Sequence, residues 1–307
     1  MVRLDDHVCV VTGAGHGLGE ATAIELGSRG ATVVVNDLGV DLAGDDPSDE
    51  PVRETAAAVE DAGGTAVVSF GDVTDLDYAA ELVEAAVDAG GRLDQVVNFA
   101  GIQRDSLVHE MSESAFDSVL DVHLKGHFAT LRAATRHWRA AHEAADGFER
   151  HRSYVAISSG RARGGAGQLN YSAAKAGVLG LMRSAARELH EFDVRANALM
   201  PVAKTRMTMQ AADGYDYPET VDFESLTPDR VTPMIAFLAS EDAADVNGCT
   251  LAVGGEGMVY VTDPDFVRSA YREGGWTAET IAASFDQFTS GESTFKVAPG
   301  GVSDYLS

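Results

Sequence analysis

In the stretch Gln168-Leu169-Asn170-Tyr171-Ser172-Ala173-Ala174-Lys175, a phenol and an ammonium stand four residues apart at the start of a strongly helical run. Four residues is about one helical turn, so both side chains lie on one face. A free tyrosine, with a pKa of about 10, is a poor acid–base catalyst near neutrality, and lowering it by 2 to 3 units takes roughly 3 to 4 kcal/mol. One positive charge held about 4 Å away supplies about 4 kcal/mol at an effective dielectric near 20. Lys175 is therefore able to make the tyrosinate of Tyr171 accessible in a site that excludes most water. An isolated Tyr-x3-Lys is as readily an exposed pair on a surface helix, so the rest of the chain has to decide.

A second set of residues points to a dinucleotide. The short apolar run His7 to Thr12 does not alternate, which predicts a strand buried on both faces. It runs into Thr12-Gly13-Ala14-Gly15-His16-Gly17-Leu18-Gly19 and then into the helical pattern of Ala21, Ile24 and Leu26. A glycine turn between strand and helix lets backbone N–H groups, here those of Gly13 through Gly19, approach a pyrophosphate at the positive helix end. The next strand, Ala31 to Asn36, closes on Asp37, about 20 residues beyond the glycines, where a carboxylate accepts hydrogen bonds from the adenosine ribose. A 2′-phosphate would be repelled there, which predicts NAD over NADP. Asp72-Val73 ends a third strand, Thr65 to Phe70; the acid either meets the adenine or caps the next helix.

These side chains need a scaffold, and the chain supplies an alternation of strands and helices. Helices are expected over Val52 to Asp61 and Leu76 to Ala89, with a strand at Gln95 to Asn98 ending in Asn98-Phe99-Ala100-Gly101. Ser112 to Ala145 reads as two helices and carries Asp121-Val122-His123-Leu124-Lys125-Gly126-His127. Strand Ser153 to Ile157 delivers Ser158 and Ser159 to the same sheet edge as the glycine turn, where a serine can donate to a carbonyl oxygen as negative charge builds on it. The helix Tyr171 to His190 is apolar on more than one side, which points to a helix interface between subunits or to a thick core within one. Strand Arg195 to Leu199, a loop Val202 to Leu226 suited to act as a lid, a helix from Pro228 to Ser240 and a strand Thr250 to Val253 complete the pattern.

The fold class expected is thus α/β, a Rossmann-type doubly wound parallel sheet with its ligand crevice at the carboxyl ends of the strands. It forms one domain over residues 1–262, followed by a C-terminal extension, 263–307, with one amphipathic helix capped by Thr277 and presenting Ile281, Phe285 and Phe288. The acidic run 38–50 reads mostly as a solvated face.

The 307 residues, 45% hydrophobic, suffice for one large core. A net charge of −25 with scattered basic residues excludes a nucleic-acid partner. Lysine occurs only at Lys125, Lys175, Lys204 and Lys296; a high-salt habitat and a GC-rich genome explain that equally well. Cys9 and Cys249 each fall in an expected buried strand, with no metal-ligand spacing and no disulfide framework. No apolar run approaches membrane-spanning length and no signal-like segment precedes the first strand, so the expected compartment is the cytosol, with no membrane partner.

Taken together, Thr12-Gly13-x3-Gly17-x-Gly19, Asp37, Asp72, Asn98-x-Ala100-Gly101, the serine pair and Tyr171-x3-Lys175 resemble the short-chain dehydrogenase/reductase family over residues 7 to 257. Val35-Asn36-Asp37-Leu38-Gly39, Val122-His123-Leu124-Lys125-Gly126 and Thr205-Arg206-Met207-Thr208 are similar to its (3R)-3-hydroxyacyl-CoA dehydrogenase branch, as found in peroxisomal multifunctional enzyme type 2. The resemblance implies reversible hydride transfer between nicotinamide and a secondary alcohol, with an acyl-CoA as substrate and a homodimer or homotetramer as the assembly. It implies Tyr171 as general acid–base, Lys175 on the nicotinamide ribose, and Ser159 polarising the carbonyl. Asn98, Ala100 and Gly101 would line the cofactor and Thr205 would meet the carboxamide.

Three departures stand out. His123 occupies a proton-relay position where the family commonly has asparagine, and is either a relay residue or a packed helix histidine. Phe99 replaces a second asparagine. Ser159 falls twelve residues before Tyr171 where thirteen is usual, so either Ser159 keeps the role after a shorter loop or Ser158 takes it; the preserved place after the strand favours Ser159. Arg104, Arg161, Arg163, Lys204 and Arg206 are candidate partners for CoA phosphates. The complete Ser159, Tyr171 and Lys175 set argues against a non-catalytic dinucleotide sensor.

Overall fold

The computed structural model describes residues 2–211, 223–262 and 272–289. Strands β1 (Val8–Thr12), β2 (Thr32–Asp37), β3 (Thr65–Phe70), β4 (Gln95–Asn98), β5 (Arg152–Ile157), β6 (Val194–Pro201), β7 (Thr250–Gly254) and β8 (Gly257–Val261) form one sheet. Their spatial order is β3-β2-β1-β4-β5-β6-β7-β8. Every pairing from β3 across to β7 is parallel, and the order reverses between β1 and β4, the switch point where such sheets hold their ligands.

The apolar run of β1 is continuous because both of its faces are covered. Val8 and Val10 join a core under α3 (Leu76–Gly90), α5 (Gly126–Ala145) and α6 (Leu169–Glu188). Cys9 and Val11 point the other way, toward α1 (Gly17–Ser28), α2 (Glu50–Asp61) and α8 (Thr232–Ala239). The helices show the matching period. In α3 the buried positions are Ala79, Leu82, Val83 and Ala86, one stripe of a helix whose start is fixed by Asp75, which accepts from the N–H of Asp77 at 2.8 Å. In α2 they are Val52, Thr55, Ala56 and Val59.

The structure amends the sequence reading in several places. The sheet does not end at β7: Gly255-Glu256 turns the chain into β8, which runs antiparallel to β7. Cys249 precedes β7 and is only half-buried, because the strand begins at Thr250; Cys9 is buried as expected. Between α4 (Glu113–Leu120) and α5 the helix does not break but widens into a π turn, Asp121–Lys125. Helix α6 starts at Leu169, two residues before the expected Tyr171, which places the tyrosine in its first turn. Leu179 and Leu181 of α6 pack half-buried against the same core as Val178 and Met182, so part of its apolar surplus serves the chain itself. The start of the expected lid is a short helix, α7 (Arg206–Ala211), begun by Thr205, whose hydroxyl accepts from Thr208 N–H at 3.3 Å. Helix α9 (Ala278–Thr289) does start at Thr277, which accepts from Thr280 N–H. Residues 212–222 of the lid, the side chains of Phe285 and Phe288, and most of the extension lie outside the described residues. Among the described residues no helix is long and apolar enough to cross a membrane.

Candidate active site

The carboxyl ends of β1, β2, β4, β5 and β6 open into one cleft of about 500 Å³. Its floor is the glycine turn. Gly13 has φ +63° and lies against the chain after β4, so that a Cβ there would come 2.5 Å from Ala100 N. Gly17, at φ +60°, opens α1, and His16 before it supplies no side-chain acceptor to the helix. The first-turn N–H groups of α1 therefore face the cleft with the positive end of the helix behind them, apart from Gly17 N–H, which Glu20 accepts at 3.2 Å. This cradle fits a diphosphate.

Asp37 stands beside it at the end of β2. One carboxylate oxygen accepts from Gly15 N–H and the other from Gly39 N–H, each at 2.7 Å, which fixes the carboxylate while leaving each oxygen further lone-pair capacity for a ribose diol. Asp72 lines the cleft and accepts from Thr74 N–H at 2.8 Å, closing a local turn; the cap of the helix that follows is Asp75, not Asp72. Val73 packs buried beside it.

At the other end of the cleft the catalytic set converges. Lys175 is 3% exposed; its Nζ donates to Ile157 O at 2.8 Å and lies 5.6 Å from the centre of the Tyr171 ring. At that separation the Coulomb estimate falls to about 3 kcal/mol at a dielectric near 20, still the right order to reshape a phenol's acidity. Burial pushes Lys175 itself down to about 7. The two serines part company. Ser158, 1% exposed, donates its proton to Lys175 O at 2.9 Å and so helps hold the lysine's backbone. Ser159, half-buried in the cleft wall, accepts from Arg161 N–H at 3.1 Å, leaving its own O–H as a donor.

His123 meets Tyr171 edge to face, ring centres 5.0 Å apart, on the π turn, a helix irregularity frequent at functional sites. Its Nε2 lies 2.8 Å from Ile102 O, and since a carbonyl only accepts, Nε2 carries the proton. Nδ1 is left as a buried acceptor without a partner among the described residues. Burial, with Lys175 second, holds the ring well below the usual histidine range, so it is neutral. Its fit demands Gly101, where a Cβ would come 2.4 Å from His123 Cε1.

Of the expected residues, Gly13, His16, Gly17, Leu18, Gly19, Asp37, Asp72, Val73, Ala100, Gly101, His123, Ser159, Tyr171, Lys175 and Thr205 all line this one cleft. Asn98 does not. It is buried behind the wall, where its Oδ1 accepts from Thr12 at 2.8 Å and its Nδ2 donates to Thr130 and to Tyr154, the latter at 2.8 Å. Gly15 sits under Asp37 rather than at the surface of the cleft. Sequence reasoning placed Thr12 in the glycine-turn motif but missed its partners Thr130 and Tyr154, a buried network whose members are far apart in the chain, and it missed Ile102, whose carbonyl orients His123. The arginines also sort themselves. Arg206 and Arg104 both line the cleft, Arg104 with its Nε held by Ala43 O at 2.9 Å, whereas Lys204 donates to Glu224 at 2.7 Å.

The short chain dehydrogenase family model matches residues 7–216. The hydroxyacyl-CoA dehydrogenase ChsB1 of Mycobacterium tuberculosis is 41% identical over 290 residues, 94% of this chain and 90% of that protein. The peroxisomal multifunctional enzyme type 2 of Mus musculus is 36% identical over 253 residues, 82% of this chain but 32% of the larger relative. The crystal structure of a carveol dehydrogenase from Mycobacterium avium in complex with NAD superposes with a TM-score of 0.70 at 26% identity, covering 82% of this chain and 97% of that one.

Proposed function

Because this chain belongs to the short-chain dehydrogenase family, we propose that it is an NAD-dependent oxidoreductase of secondary alcohols and ketones whose substrate is a (3R)-3-hydroxyacyl-CoA. The observation that carries the reading is the convergence of Tyr171, Lys175 and Ser159 at the switch-point cleft whose other end is the glycine turn and Asp37. NAD, when bound, supplies the hydride acceptor; the chain supplies placement and electrostatics.

The glycine turn and the first turn of α1 hold the diphosphate, and Asp37 holds the adenosine ribose against a 2′-phosphate. Lys175 and Thr205 belong to the nicotinamide half. Ser159 donates a hydrogen bond from its hydroxyl to the substrate oxygen, holding it within reach of Tyr171. In the oxidative direction the Tyr171 phenolate takes the alcohol proton as carbonyl character develops, and in reduction the phenol returns it. Lys175 in its ammonium form favours the phenolate and the phenolate in turn favours the ammonium, so the two titrate as a pair. His123 is neutral and pinned through Nε2, so its part is to buttress the Tyr171 ring and to offer Nδ1 as an acceptor. Arg206, at the cleft mouth, is the basic residue best placed for a CoA phosphate. The exposed Phe128 on α5 and Leu169 at the start of α6 support a homodimer or homotetramer built through these helices.

Nicotinamide absorbance with (3R)- and (3S)-3-hydroxyacyl-CoA, steroid and simple alcohols, each with NAD and NADP, tests the assignment. Turnover is expected with the (3R)-thioester and NAD; turnover of only a steroid or terpene alcohol would overturn the substrate. Tyr171→Phe is expected to lower kcat by at least about 10²-fold, and unchanged turnover would remove the mechanism.

A further inference from the structure

The acidic loop after Asp37 is folded across the cleft rather than solvated throughout. Asp41 Oδ1 accepts from the N–H groups of Ala43, Gly44 and Asp45 at 2.8, 2.9 and 2.9 Å, closing a tight turn. The carbonyls of that turn grip the segment after β4: Gln103 N–H donates to Leu42 O at 2.8 Å, and Arg104 Nε donates to Ala43 O at 2.9 Å. Gly44, at φ +94°, lies on Ile102, where a Cβ would come 3.2 Å from Cγ2. Leu38, Val40, Leu42 and Gly44 thus roof the end of the cleft that Asp37 and Asp72 define.

The segment gripped by this strap is also stitched to the start of α6. Ser106 N–H donates to Gly167 O at 2.8 Å, and Gln168 Nε2 donates to Asp105 at 2.8 Å. At the centre is Asn170, 0% exposed, whose Nδ2 donates to Arg104 O at 2.9 Å and to Ala115 O at 3.0 Å. Its Oδ1 accepts from the N–H of Tyr171 at 2.8 Å. That N–H lies in the first turn of a helix, where no intrahelical acceptor exists. Asn170 therefore uses both donor hydrogens and its acceptor to tie three segments to the backbone of the catalytic tyrosine.

We propose that Asn170 is a positioning residue for Tyr171, and that Arg104 joins it to the strap, so that closure over the adenosine half of the cleft and placement of the phenol are one event. This rests on the reading of Tyr171 as the acid–base of a dehydrogenase. Removing the Asn170 amide takes one donor from each of the Arg104 and Ala115 carbonyls and the acceptor from the Tyr171 N–H, and the first turn of α6 relaxes in response. A displacement of the phenol by about 1 Å is enough to lose on the order of 10²-fold in rate.

The test is steady-state kinetics of Asn170→Ala, Asn170→Ser, Arg104→Leu and the Asn170→Ala/Arg104→Leu double variant, alongside the NAD Kd by calorimetry and melting curves. Asn170→Ala is expected to lower kcat about 10- to 100-fold while the NAD Kd stays within about 3-fold. Asn170→Ser, which keeps an oxygen near the Tyr171 N–H, should recover part of that rate. Arg104→Leu should lower kcat at saturating NAD as well as weaken NAD, and the double variant should be no slower than Asn170→Ala, because both changes cut the same path. A folded Asn170→Ala enzyme with kcat within 2-fold of wild type would overturn the positioning role. Arg104→Leu raising only the KM for NAD, or a double variant whose loss is the product of the single losses, would overturn the link to the strap. Should Asn170→Ala fail to fold, Asn170→Ser decides the first point and Arg104→Leu the second. An active Tyr171→Phe enzyme, by contrast, strikes the dehydrogenase mechanism itself and is read independently of these variants.

Discussion

The sheet carries buried charge at both of its ends, and the two ends treat it in opposite ways. At the amino edge, Asp94 lies between the starts of β1, β4 and β5 with its side chain 1% exposed. It accepts from Val8 N–H at 2.9 Å, from Arg92 Nη2 at 2.7 Å, and pairs with Arg152 at 3.1 Å. The Arg152 guanidinium in turn lies over the Phe148 ring at 4.0 Å. At the carboxyl edge, Lys175 is as deeply buried, but its Nζ donates to the Ile157 carbonyl and no carboxylate pairs with it among the described residues. Charge that is paired where it is buried serves the fold. Charge left with dipoles alone is tolerated where a ligand and a reaction need it.

Breaking the paired end should have the largest effect. Asp94→Ala leaves Arg152 and Arg92 without their counter-charge and Val8 N–H without its acceptor, and is expected to cost about 3 to 5 kcal/mol of stability, measured by urea denaturation. A loss below about 1 kcal/mol would mean that the amino-edge cluster behaves like surface charge and that the contrast is false.

The unpaired end should respond with the opposite sign. Burial lowers Lys175 from 10.5 to about 7, so between those values the unfolded chain binds a proton that the folded chain does not. Stability contributed by this residue therefore rises with pH across that window, and its penalty is greatest below about 7. In the cofactor-free protein Lys175→Met is expected to raise stability by on the order of a few kcal/mol at pH 6, with the gain fading toward pH 10.5 as the wild-type lysine becomes neutral in both states. Melting curves at several pH values check this, and a variant that is destabilised at pH 6 would show that the lysine's packing and carbonyl contact outweigh its unpaired charge.

The same contrast explains what could be read before the structure. The adenosine half of the cleft is made largely of backbone, and backbone that must approach a ligand leaves glycines at fixed spacing; Gly13, Gly17 and the following Asp37 were therefore legible. Tyr171 and Lys175 were legible because helix geometry ties residues four apart. The strand β8 was also within reach, since Met258 and Tyr260 are exposed and alternate with half-buried Val259 and Val261 after a glycine-rich turn. What was not legible depends on contacts between distant segments. Nothing local to Asn98 announces that Thr12, Thr130 and Tyr154 consume its amide, and nothing local to Arg104 announces its bond to the strap. The π turn likewise has no local signal in Asp121–Lys125, and it is followed by Gly126, where a Cβ would come 3.1 Å from Val73 Cγ2.

The central claim is that the unpaired buried ammonium exists to govern the acidity of the tyrosine beside it. The most direct measurement is the pH dependence of kcat for alcohol oxidation at saturating NAD, in the wild type and in Lys175→Met. The wild-type rate is expected to reach its plateau well below the free phenol value of about 10, and the variant to lose at least about 10²-fold with its rising limb displaced upward by a unit or more. Superimposable profiles would contradict the account.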